Sequence, residues 1–187
     1  MLLRDMKKLL VIAVLTLSAA DLRAEDSHPF QASLTPEIAI YPKTAEIHGL
    51  SWSIWGENPQ QGVALGFVNG STGDSAGFTC GLFNYADSYT GVSWGIVNYS
   101  KVSFVGWQGG LYLPMVNISK GTFTGFQSAW IYNSAQEFHG LQLGLVNYSE
   151  QLNGVQIGLV NIAKNNGWFD DFPDKLATGF PIVNWSF

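Results

Sequence analysis

The chain has 187 residues, 9 Lys+Arg against 14 Asp+Glu, and one cysteine, Cys80. That length suits one domain, and a lone cysteine excludes an internal disulfide and a thiolate zinc site. An acidic, lysine-poor chain without a basic cluster is a poor match for nucleic acid or an anionic lipid surface.

In chain order, residues 1–24 read as an export signal. Met6-Lys7-Lys8 is a basic start, Leu9 to Ala20 an apolar stretch, and small residues offer cleavage after Ala20 or after Ala24. The apolar run is too short to span a bilayer as a helix, so removal is expected. Loss of Arg4, Lys7, Lys8, Arg23, Asp5 and Asp21 leaves 5 basic and 12 acidic residues, a net charge of −7, in a single β domain over 25–187.

From residue 62 a motif recurs: Gly-x-x-x-Gly, two apolar residues, then Asn. It stands at Gly62–Asn69, Gly77–Asn84, Gly91–Asn98, Gly140–Asn147 and Gly154–Asn161. Looser copies lie around 49–55, 110–117, 125–133 and 179–184. Such self-similarity marks a repeat architecture, in which residues are selected for stacking or pairing. Each unit holds about nine residues of strand and about five of turn. Two glycines and many β-branched or aromatic residues per unit argue against helix.

Alternation within the units is clean. One face carries Val63, Leu65, Phe67; Phe78, Cys80, Leu82; Val92, Trp94, Ile96; Leu141, Leu143, Leu145; and Val155, Ile157, Leu159. The other starts small or polar at Ala64, Thr79, Ser93, Gln142 and Gln156. Period-two alternation predicts strands between two different environments. The polar connectors 69–74, 86–90, 149–153 and 163–166 read as turns. Cys80, where other copies have Leu65, Trp94, Leu143 and Ile157, reads as a buried small hydrophobe.

Two architectures satisfy this pattern. The sequence best predicts an all-β, repeat-built, antiparallel up-and-down β-barrel of about ten strands, near 33–41, 47–55, 62–69, 77–85, 91–99, 104–116, 123–132, 139–148, 154–162 and 179–187. Its apolar face would meet outer-membrane lipid and its Gly/Gln/Ser face would fill the lumen. The chain ends Val183-Asn-Trp185-Ser-Phe187, with Val183, Trp185 and Phe187 on one face and an aromatic terminus. This resembles the insertion signal read by the bacterial barrel-insertion machinery. The alternative is a β-solenoid, a soluble binding or adhesion module in which Asn residues stack into ladders and the apolar face is the core. On that alternative Leu143→Arg would unfold the domain.

The units Gly140-Leu-Gln-Leu-Gly-Leu-Val-Asn-Tyr-Ser149 and Gly154-Val-Gln-Ile-Gly-Leu-Val-Asn-Ile-Ala163 resemble the surface-repeat proteins named after Leptospira surface lipoproteins, as does the closing Phe-Pro-Ile-Val-Asn-Trp-Ser-Phe187. The resemblance spans about residues 49–187. It implies an exported surface or outer-membrane protein of a Gram-negative bacterium with no assigned molecular activity. It supplies no catalytic residues. The lipidated cysteine of the lipoprotein members has no counterpart in this chain.

Little in the chain points to chemistry. His28, His48 and His139 lack metal-ligand spacing, and no Gly-x-Ser-x-Gly elbow or phosphate loop occurs. A barrel enzyme is therefore the weakest reading, and neither metal nor cofactor is expected. Asp170, Asp171 and Asp174 lack the spacing and glycine of a calcium loop. The segment Trp168-Phe169-Asp170-Asp171-Phe172 is the best candidate binding loop, because aromatic residues in a connector are costly to expose without a partner. Five Asn-x-Ser sequons, at Asn69, Asn98, Asn117, Asn147 and Asn184, fall out of the repeat and read as structural. The expectation is a non-enzymatic, monomeric protein of the outer membrane or cell surface with a structural or interaction role.

Overall fold

In-register parallel pairing of identical residues organises the structure, a computed structural model that describes residues 27–109 and 115–187. The export segment lies outside the described residues, as does the start of the 110–117 copy. Ten strands form one sheet: β1 Ser27–Thr35, β2 Ile38–Ala39, β3 Glu46–Asn58, β4 Gln60–Cys80, β5 Phe83–Trp94, β6 Val97–Gly109, β7 Val116–Ser128, β8 Tyr132–Leu143, β9 Val146–Ala163 and β10 Gly179–Ser186. Neighbours follow chain order, except that β2 lies beyond β1 at the N-terminal edge. From β3 to β9 every pairing is parallel, and the motif asparagines pair with one another: Asn84 with Asn98, Asn98 with Asn117, Asn117 with Asn133 and Asn133 with Asn147.

The fold is thus a β-solenoid of about eight turns, and the antiparallel barrel is corrected. The connectors at 69–74, 86–90 and 149–153 do not reverse the chain; they run inside β4, β5 and β9. Each coil has two arms. A short arm such as Val146–Ser149 leads round a polar corner into a longer arm such as Leu152–Ile157. A bend at the second motif glycine (Gly81-Leu82, Gly95-Ile96, Gly144-Leu145) then starts the next coil. In an antiparallel meander, alternate asparagines would fall on opposite rims, and no ladder would form.

The interior is polar. Each Asn Nδ2 donates to the Asn Oδ1 of the following coil, from Asn69 to Asn84 and onward to Asn161, at 2.8–2.9 Å. The same nitrogen donates to a carbonyl of the facing arm, for example Asn133 to Leu143 O at 2.9 Å. A second ladder runs with the opposite polarity. Gln156 donates to Gln142, Gln142 to Gln127 and Gln127 to Gln108, at 2.8, 2.8 and 3.0 Å. Amides buried without partners would be prohibitive, and in-register stacking supplies a partner for each from the next coil. Steric zippers use the same device.

Beside the amides runs one apolar column. Phe104, Phe123 and Phe138 stack with ring centroids 5.3 Å apart and near-parallel planes, continued by Tyr89 at one end and Leu152 at the other. Each lies two residues before a motif glycine, a regularity hidden when Tyr89 and Leu152 are read as turn residues. The first motif glycine is required by its backbone: Gly106, Gly125 and Gly140 have φ of 130–134°, and a Cβ on each would overlap the carbonyl oxygen of the glycine one coil earlier.

Both ends are closed. β2 folds antiparallel onto β1, and Gln31 bridges Tyr41 O and Asn58. At the other end β10 pairs antiparallel with β9, and Phe180 O accepts the last ladder donor, Asn161 Nδ2, at 3.1 Å. These caps blunt edges that would otherwise template further pairing.

Asn117→Ala removes a rung at mid-ladder and leaves one hydrogen of Asn98 Nδ2 and the Asn133 acceptor buried without partners. It should destabilise the fold by about 2–4 kcal/mol. Gly125→Ala should cost at least as much through its backbone. Urea unfolding followed by circular dichroism measures both, and a change below about 0.5 kcal/mol in either would contradict the stacking account.

Candidate functional site: an apolar exterior face

Alternation along the long arm has a consequence opposite to that of an ordinary core. The small or polar set points inward: Ala64, Thr79, Ser93, Gln142 and Gln156 are buried. The large apolar set points out, with Leu65, Phe67, Leu82, Leu143, Leu145, Ile157 and Leu159 all exposed. The sidedness predicted from the sequence therefore holds, while the expectation that a solenoid would bury its apolar face is overturned. The interior between the arms is already filled by amide ladders and one aromatic column. Cys80, expected in the core, is half-buried on this outer face, between the rows of Leu65 and Trp94.

Register makes the face continuous. Rows of outward residues lie about 4.8 Å apart along the solenoid and about 7 Å apart along each strand. The described outward positions of eight rows, from Leu50-Trp52-Ile54 to Val155-Ile157-Leu159 with only two in the row of Trp107 and Gly109, cover on the order of 700 Å² and include no charged residue. Patches of that size are unusual on monomeric soluble proteins. Its middle is an edge-to-face and stacked aromatic run: Phe78 to Trp94 at 5.2 Å, Trp94 to Trp107 at 5.4 Å and Trp107 to Phe126 at 6.0 Å. Trp107 Nε1 donates to Ser128 Oγ at 3.1 Å and fixes that ring.

Among the described residues, two open grooves indent the face. The first, about 880 Å³, lies at the N-terminal end among Leu34, Ile38, Ile40, Trp52, Ile54 and Phe67. The second, about 450 Å³, runs between Trp130, Leu143, Leu145, Ile157 and Leu159 over Gly144 and Gly158. Gly144 and Gly158 form part of its lining. A Cβ on Gly144 or Gly158 would also collide with the asparagine ladder and a carbonyl of the preceding coil. Trp52 and Trp130 are each 70% exposed and stand up from the two grooves.

Charged groups collect elsewhere. Asp87 and Lys101, 3.9 Å apart, lie at the polar corner, as do Glu137 and Glu150. Close to the N-terminal end, Tyr85 is pushed up to about 12 by burial and by its hydrogen bond to Glu57, with Trp55 Nε1 donating to its hydroxyl at 3.2 Å. Burial also raises Tyr89, whose hydroxyl has no partner among the described residues.

The segment 168–172 belongs to a longer stretch, 168–176, that caps the outer edge of β10 through residues 173–176. Phe187 N donates to Asp174 O, Leu176 N to Trp185 O, and Trp185 Nε1 to Pro173 O at 2.8 Å. Phe169 packs edge-on to Phe180, and Phe172 lies 6.4 Å from Trp185. Trp168, Phe169 and Phe172 still expose half or more of their surface, and Asp170 and Asp171 face solvent. Val183, Trp185 and Phe187 belong to this cap, so the chain terminus closes the solenoid.

His48 and His139 hold equivalent outward positions before a motif glycine, His48 forming an exposed pair with Glu46 at 2.8 Å. Among the described residues no three His, Cys, Asp or Glu side chains converge as a metal site. The sequon asparagines Asn69, Asn98, Asn117, Asn147 and Asn184 are all buried. No helix among the described residues is long and apolar enough to cross a membrane. No family model, curated protein or solved structure matches the chain.

Because Leu143 points away from the core, Leu143→Arg should leave the unfolding free energy, measured at concentrations low enough to keep both chains monomeric, within about 0.5 kcal/mol of the parent. Gln142→Leu, one residue earlier and inward, should cost about 2 kcal/mol or more, because it leaves Gln127 Oε1 buried without its donor and takes one acceptor from Gln156 Nε2. Equal losses in the two variants would mean that the faces are assigned wrongly.

Proposed function

We propose that this chain is an exported, surface-associated bacterial β-solenoid with a structural or interaction role, working through its apolar exterior face and having no catalytic activity of its own. The observation that carries this is the inverted polarity of the long arm. From the first motif glycine to the bend, an interior filled by amide ladders leaves the large apolar residues of that arm outside, away from the core column. Retaining a wide uncharged surface without a partner brings an aggregation hazard, so a face of this size is best understood as one that is covered in use.

Export is supported by the basic-then-apolar start of the chain. A surface role is supported by the resemblance of units 140–149 and 154–163 to surface-repeat proteins. A binding rather than catalytic role is supported by the distribution of functional groups. Nucleophilic, acidic and basic side chains lie apart around the polar corner, and the grooves are lined by hydrocarbon.

The test is fractionation of bacteria producing the full chain beside the Leu143→Arg variant. The parent should be recovered with the cell envelope, and the variant should stay folded and exported but move largely to the soluble fraction. If both variant and parent distribute identically, the apolar face is not the working surface.

A further inference from the structure

We propose that the apolar face is a self-association surface, covered by a second copy of this chain packed face to face with its solenoid axis reversed. The proposal rests on the reading of that face as the working surface and names its occupant.

Three observations carry it. The first is area. The face covers about 700 Å², close to the roughly 800 Å² that each partner contributes to a stable protein–protein interface. The second is chemistry. The face holds no charge, and its centre is a half-buried aromatic run, the composition of a permanent interface core rather than of a rim. The acidic balance of residues 25–187 disfavours an anionic lipid surface as the alternative cover.

The third is symmetry. Counting along the middle column gives nine consecutive rows: Ala32, Trp52, Leu65, Cys80, Trp94, Gly109, Ser128, Leu143 and Ile157. The first groove occupies rows one to three and the second rows seven to nine. They are equidistant from the Trp94 row. A two-fold axis parallel to the strands through that row sets each groove of one copy over the other groove of its partner. Trp52, in row two, then stands over Leu143 in row eight of the second copy. Trp130, beside row seven, stands over Phe67, beside row three. Self-complementarity of this kind is what an isologous interface demands, and two β faces pack at about 10 Å, leaving room for the side chains to interdigitate.

Sedimentation equilibrium of the purified full chain tests the association. The parent should be a dimer, and Leu143→Arg, which places two buried charges in the interface by symmetry, should raise the dissociation constant at least 100-fold with an unchanged circular dichroism spectrum. Orientation is tested in a Cys80→Ser background with a short bis-maleimide linker. Val92→Cys, on the axis row, should cross-link to its own copy. Leu65→Cys should not, because its counterpart lies about four rows, or ~19 Å, away.

A monomeric parent, a dimer indifferent to Leu143→Arg, or equal cross-linking at both positions would each overturn the proposal. A monomer that binds neutral phosphatidylcholine vesicles, with envelope recovery still lost in Leu143→Arg, would remove the second copy and leave the working face standing. Envelope recovery indifferent to Leu143→Arg would remove the working face itself.

Discussion

The asparagine ladder is the constraint on which the remaining structure depends. A carboxamide has two donor hydrogens and one acceptor oxygen, and each interior asparagine uses one hydrogen along the solenoid axis and one across to the opposite arm. That geometry requires the same residue at the same place in the next coil, running in the same direction. Parallel register follows, and with it the stacking of glycines and aromatic rings, because all occupy fixed offsets from the asparagine. The glutamine ladder runs with opposite donor polarity, so the two rows of amide dipoles oppose rather than reinforce one another.

A polar interior has a structural cost at its ends, where each ladder must stop. The asparagine ladder ends on Phe180 O, supplied by the antiparallel cap strand. The glutamine ladder ends on Gln156 Oε1, which has no donor among the described residues. Asn166 and Asn184 lie close by and satisfy the backbone of the cap segment. The aromatic segment 168–172 and the terminal residues 183–187 therefore have one shared task at the C-terminal end. This is why a pattern resembling a barrel-insertion signal ends a chain that is not a barrel.

Filling the interior with flat amides and one column of rings also decides the character of the surface. Past the first motif glycine, where the amide ladders fill the space, side chains of leucine or tryptophan size on the long arm have no place between the arms and point out. In most soluble β-proteins the hydrophobic alternation builds the core and the polar alternation meets water. Here the ladders hold the coils together and the hydrophobic alternation is left for the exterior.

The sequence by itself determined the repeat, its length, the separation into an apolar and a small or polar face, and which residues belong to each. Those follow from period two and from the spacing of Gly and Asn, which are local. It also pointed to a structural role for Asn69, Asn98 and Asn117, which recur at one place in the repeat. Direction of pairing was decided only in three dimensions. Alternation is identical in a parallel and an antiparallel sheet, and a bend of two residues such as Gly144-Leu145 gives no local sign of whether the chain reverses or climbs. The recurrence of Asn at one place was the available hint, and its force appears only when Asn133 and Asn147 meet at 2.9 Å. Sidedness relative to solvent was likewise tertiary, because Gln142 and Leu143 differ in environment only once two arms enclose one and leave the other outside.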